Sequence, residues 1–169
     1  MQRELKGRGL HNLRWVRPEG IHLTLKFLGE TPPDKVPAIE EALAAACQGV
    51  PAFAFTVGRL GTFGDRRGPR VIWVDVGGER EAMARLQERV EQRLEGLGFP
   101  REKRAFSPHL TLARVPPELM ASQGPRIKES IAAVTVPEAR QRVTSVGLIH
   151  SILQRGGAVY QTVKAWPLG

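Results

Sequence analysis

The chain is poor in the residues that build the commonest small-domain staples. Cysteine occurs once, at Cys47, which excludes a disulfide framework and a cysteine-only zinc site. Histidine occurs four times. No apolar stretch approaches the ~20 residues of a membrane span. The opening MQRELKGRGL has no apolar segment of the kind that drives secretion, so no signal peptide is expected there. Acidic residues are outnumbered, 17 against 25 basic ones. These absences point to a domain that does not span a membrane, with the cytoplasm as its expected place.

Nineteen of the 25 basic residues are arginine, and the formal net charge is +8. Such an excess suits an anionic partner, nucleic acid first among them, although a solvated basic surface would have the same composition. At 169 residues the chain is expected to form one domain with its own core.

Residues 2–10 have the pattern of a helix tail ended by Gly7 and Gly9. An extended piece at 12–17 and a Pro18-Glu19-Gly20 turn follow. Helices are expected over 34–47, 79–96 and from Pro116-Pro117 to about Ile131. Strands are expected over 51–60 and 70–76, with a glycine- and arginine-rich loop at 61–69 between them. The segments 143–153 and 158–166 read as a hairpin turning through Gln154-Arg155-Gly156-Gly157.

The stretch IHLTLKFLGE, 21–30, alternates as a strand. His22, Thr24, Lys26 and Leu28 would share one face, with Leu23, Leu25 and Phe27 on the other. Eighty-seven residues after His22 the motif returns as PHLTLARV, 108–115. A lone histidine on a strand is ordinarily a half-buried structural residue. The same His-x-Thr written twice argues for a shared task.

The repetition extends beyond the motif. LKGRGL at 5–10 aligns with LEGLGF at 94–99, each motif runs into a double proline, and Trp73 falls opposite Tyr160. An internal duplication with units of about 1–76 and 77–169 is therefore expected. It exposes a gap: the helix ending near Leu97 is preceded by the strand 70–76, whereas the matching helix at the start has only its tail and no strand before it. The expectation is a start truncated by about 20 to 25 residues, since an unpaired sheet edge is an association hazard.

Cleaving a phosphodiester without a metal requires a base to activate water and an acid to protonate the departing oxygen. Histidine suits both, with an unperturbed pKa of ~6.5. Two of them on matching strands of two similar lobes could face each other across a cleft, one neutral and one protonated. Each threonine hydroxyl could donate to a non-bridging phosphate oxygen. A zinc site is the competing use of histidine, but His11 and His150 lack ligand-like spacing.

With these motifs, the chain resembles the two-histidine phosphoesterases. RWVRPEG, IHLTLKFLGE and PHLTLAR look like those of the RNA 2′,3′-cyclic phosphodiesterases, also called 2′-5′ RNA ligases. The resemblance implies an α+β fold of two pseudo-symmetric lobes, each a mainly antiparallel sheet with helices outside, around a central cleft. It implies hydrolysis of a terminal 2′,3′-cyclic phosphate to a 2′-phosphate without metal or other cofactor, with 2′-5′ ligation as the reverse. His22 would be the acid and His109 the base. Thr24 and Thr111 would bind phosphate, and Phe27 and Arg114 would hold the terminal nucleotide. RNA ends, tRNA fragments among them, would be the partner of a monomer that binds no membrane.

Strict alternation, however, puts Phe27 and Arg114 opposite the histidines. Phe27 could equally be a core residue. Arg114, rarely buried unpaired, needs a bulge or strand end to return it to the cleft. Lys26 is either a positive charge beside the histidines or a solvated lysine. Arg66, Arg67 and Arg70 could touch the RNA backbone or simply decorate a surface loop. Two other functions stay open: a phosphodiesterase for a small cyclic nucleotide or sugar phosphate, and a non-catalytic RNA-binding module.

Overall fold

A computed structural model of the chain describes residues 1–154 and 157–169. The elements are α1 (Gln2–Gly7), β1 (Arg14–Trp15), α2 (Val36–Cys47), β2 (Phe53–Asp65), β3 (Gly68–Gly78), α3 (Arg80–Glu95), β4 (His109–Arg114), α4 (Met120–Ala133), β5 (Arg140–Val143), β6 (Ser145–Gln154) and β7 (Gly157–Pro167). One sheet has the order β1-β4-β3-β2-β5, and β6 pairs with β7 in a second. The expected α+β class is the observed one. Among the described residues no helix is long and apolar enough to cross a membrane.

The element order runs twice in similar form. A helix precedes each motif, and each motif leads through Pro-Pro into a 3₁₀ turn, Pro33–Lys35 or Pro117–Leu119, and then a helix. Pro32 and Pro116 adopt nearly the same extended backbone, φ −59°, ψ 139° and φ −56°, ψ 140°. Proline supplies that φ from its ring and lacks the N–H that a first turn leaves unused.

Two compact units are each assembled from three stretches of chain. The first comprises Met1–Leu23, Thr56–Gly77 and Pro108–Ala139. Its core joins Leu5 of α1 and Ile127 of α4 to Leu60, Ile72, Val74, Leu112 and Ala113 of the sheet. Ile72 and Val74 alternate inward on β3 and are fully buried, a contribution of roughly 1.5–3 kcal/mol per large side chain. The second comprises Thr24–Phe55, Gly78–Ser107 and Arg140–Gly169. There α2 and α3 pack together. Met83, Leu86, Val90 and Leu94 make the stripe expected of α3, and Ile39, Leu43 and Ala46 that of α2.

Two expectations need correction. The loop expected at 61–69 is mostly strand, because β2 continues to Asp65 and β3 begins at Gly68, leaving Arg66-Arg67 as the turn. Asp65 closes it by accepting the Arg67 backbone N–H at 2.9 Å. That bond, with the Arg67 and Arg70 guanidiniums nearby, holds the Asp65 carboxyl below its usual range. IHLTLKFLGE is not a ten-residue strand either; it pairs only at Leu23. The expected hairpin forms between β6 and β7, while Arg155 and Gly156 of its turn lie outside the described residues.

Candidate active site

The second motif is β4 itself, bonded to β3 on one side and to β1 on the other. Asp75 lies opposite His109, and Trp73 opposite Thr111. Between Ile72 and Trp73 the register slips, because Ile72 pairs with Ala113 and Val71 with Arg114. Leu112 is the extra residue, a bulge. Leu112 and Ala113 both turn into the core, 2% and 0% exposed. Gln2 of α1 donates from Nε2 to the carbonyls of Val16 (2.7 Å) and Leu112 (3.0 Å), the latter also accepting the Val16 backbone N–H at 2.9 Å.

The bulge has a chemical consequence. Beyond it the alternation is inverted, so Arg114, opposite Val71, stands on the face of His109, Thr111, Trp73 and Asp75. The arginine is exposed and returns to the histidine face as a bulge would require.

The first motif reaches the same face by another route. After β1 the chain turns through a 3₁₀ helix at Pro18–Gly20 and bridges back to β4 at Leu23, antiparallel to Leu110. Carried one residue further, that antiparallel register runs His22 toward Thr111 on β4. The His22 Nδ1–H donates to the Gly20 carbonyl at 2.8 Å. With Nδ1 as the donor, Nε2 is the basic nitrogen of the neutral ring.

Thr24, exposed, follows the bridge and is the first residue of the second unit. The backbone then bends at Leu25, and the expected alternation ends. Lys26 does not join the histidine face. Its side chain is 6% exposed and its Nζ donates to Glu91 Oε2 at 2.5 Å, with Glu91 itself 4% exposed. A second bond runs from Nζ to the Pro100 carbonyl at 2.8 Å. Phe27, 80% exposed, is not a core residue. The cause is shared: turning Lys26 inward to a buried carboxylate turns Phe27 outward.

Sequence reasoning missed the residues around His109. The Phe63 ring stands nearly perpendicular to the His109 ring, centroids 4.9 Å apart, and lies 5.1 Å from Trp73. Trp73 fits because Gly61 faces it: a Cβ there would overlap the indole. Gly58 faces Asp75 less tightly, where a Cβ would come within 3.2 Å of the carboxylate side chain. Two glycines on a strand were the only signal in the sequence, and their meaning depends on which side chains cross them. Among the described residues no group of three histidine, cysteine or carboxylate side chains is placed to hold a metal ion.

The comparisons with known proteins agree with one another. The family model described as the 2′-5′ RNA ligase superfamily matches residues 4–154. A Geobacillus stearothermophilus protein named RNA 2′,3′-cyclic phosphodiesterase is 32% identical over 154 residues, 91% of this chain and 47% of the relative. The chain thus spans about half the length of that relative. A protein of the same name from Aeropyrum pernix is 34% identical over 151 residues, 89% of this chain and 84% of the relative. Among solved structures, E. coli LigT complexed with 3′-AMP superposes with a TM-score of 0.69 at 26% identity, covering 99% of this chain and 90% of that one. TT0787 of Thermus thermophilus gives 0.75 at 25% identity, covering 99% and 88%.

Proposed function

Since the chain belongs to the 2′-5′ RNA ligase superfamily, we propose that it hydrolyses 2′,3′-cyclic phosphate ends of RNA to 2′-phosphates, and that 2′-5′ ligation is the same reaction reversed. The observation that carries this reading is the Leu23–Leu110 bridge, whose register runs His22 toward Thr111 beside His109.

In the forward direction His109 takes a proton from water, whose oxygen attacks phosphorus. The P–O3′ bond breaks, and His22 delivers the proton from Nε2 to the departing O3′. The product carries a 2′-phosphate and a free 3′-hydroxyl, and solvent resets both imidazoles. The Gly20 carbonyl holds the His22 ring in place by accepting its Nδ1–H. Which histidine is acid and which base follows the family resemblance. Thr24 and Thr111 donate to the non-bridging oxygens, where charge accumulates in the transition state. Arg114 and Phe27 hold the terminal nucleotide, Phe27 by stacking from its exposed position. No step is assigned to a metal.

The same reading takes the chain as one domain built by duplication, of units about 1–76 and 77–169, supported by the repeated element order. It describes a cytoplasmic monomer acting on RNA ends such as tRNA fragments.

The test is turnover of an oligonucleotide ending in a 2′,3′-cyclic phosphate. His22→Ala and His109→Ala should each lower kcat by at least about 10²–10⁴, the usual weight of one acid or base, while binding persists. Activity should survive EDTA and follow a bell-shaped pH profile. Full turnover in either variant refutes the acid–base pair.

A further inference from the structure

β1 pairs with β4 so that Arg14 stands directly opposite Arg114. Opposed side chains of an antiparallel pair are close neighbours, and like charges so placed repel. Both arginines are exposed, and neither has an ion-pair or hydrogen-bond partner among the described residues. Some surface arginines, such as Arg8, Arg67, Arg85 and Arg140, have a carboxylate within 4 Å; what sets Arg14 and Arg114 apart is that they face each other. The next pair in register, Trp15 and Ala113, faces the core, so the two guanidiniums project to the face of His22, His109 and Thr111. Because of the bulge, Thr111 and Arg114 stand opposite Trp73 and Val71, two residues apart on β3, so they are separated by roughly 7 Å along the strand at ~3.3 Å per residue. A second anion bound there would relieve the repulsion that the register imposes.

We propose that Arg14, together with Arg114, binds the phosphodiester immediately upstream of the reacting cyclic phosphate. This rests on the phosphodiesterase reading and narrows its substrate class. An RNA strand carries a phosphate at that point, and a cyclic mononucleotide does not. Two planar guanidiniums offer several N–H donors to one phosphate, a geometry in which arginine is not replaceable by lysine without loss. Arg14 is therefore a specificity residue that selects polynucleotide ends.

The experiment compares two dinucleotide 2′,3′-cyclic phosphates that differ only in their linkage, one an ordinary phosphodiester and one an uncharged methylphosphonate. The wild-type protein should favour the charged linkage by about ten- to a hundredfold in kcat/KM, mostly through KM, as expected for a charge-assisted contact. In Arg14→Gln that ratio should fall toward one, and Arg14→Lys should retain part of it. The dependence of log KM on log salt should become shallower by about one in the glutamine variant. Equal wild-type rates on both linkages overturn the proposal. So does an Arg14→Gln variant that loses the same factor on each, since that marks a purely structural residue. If the wild-type protein turns over neither compound, it is the phosphodiesterase reading that fails. The linkage preference measured by binding of the two dinucleotides then still decides on Arg14.

Discussion

Lys26 and Glu91 make an ion pair almost free of water, with side chains 6% and 4% exposed. Removing two charges from solvent costs several kcal/mol per ion, so the pair holds only while both members and their further bonds are present. Glu91 accepts from Gln87 Nε2 at 3.0 Å and from the Glu102 backbone N–H at 3.4 Å, and Lys26 donates to Pro100. Replacing one partner, as in Lys26→Met or Glu91→Leu, leaves the other charge buried and unmatched, a loss of about 3–5 kcal/mol. For a chain of this length each kcal/mol lowers Tm by about 2–4 °C, so each single variant should melt about 6 to 20 °C below the wild type. The double variant Lys26→Met/Glu91→Leu buries no charge and fills a similar volume. It should recover most of that loss, giving a coupling energy of several kcal/mol. Circular dichroism melts and urea titrations of the four proteins measure the cycle. Single variants that cost less than about 1 kcal/mol would mean that the pair behaves as a solvated one. A double variant as unstable as the two losses added together would mean that the side chains act independently. Either result refutes the reasoning.

Gly61→Val should displace the Trp73 indole, because even its Cβ would overlap the ring. Overpacking of that kind costs about 1–3 kcal/mol. The shift passed through Phe63 to His109 should lower kcat on the order of a hundredfold. Wild-type Tm and turnover in this variant would show that the aromatic cluster does not position the histidine. Cys47 is buried, and burial pushes its thiol up, with the Arg89 guanidinium pulling weakly the other way. A folded pKa raised above the unfolded value of ~8.5 contributes stability that is complete below about pH 8.5 and is lost as pH rises through the folded value. The urea midpoint should therefore fall in alkaline buffer more for the wild type than for Cys47→Ala. Parallel profiles would remove the thiol from the account.

By itself the sequence determined the class of fold and pointed to the chemistry proposed above. The helices announced themselves by 3.6-residue periodicity, and β3 and β4 by alternation, because local geometry writes those periods directly into the order of residues. His22, Thr24, His109 and Thr111 were legible because the same four-residue motif occurs twice, and repetition needs no knowledge of packing to be seen. Only the tertiary structure decided how the flanking residues point. A bulge at Leu112 brings Arg114 to the histidine face, and a buried carboxylate on α3 draws Lys26 inward and leaves Phe27 in solvent. Both outcomes follow from partners far away in sequence: the register of β3, and a glutamate 65 residues downstream of Lys26. The opposition of Arg14 to Arg114 is of the same kind, since it joins residues 100 positions apart through one strand register. Periodicity reports which side of an element is apolar; it cannot report where one extra residue inverts that side, or which charge waits on the neighbouring element.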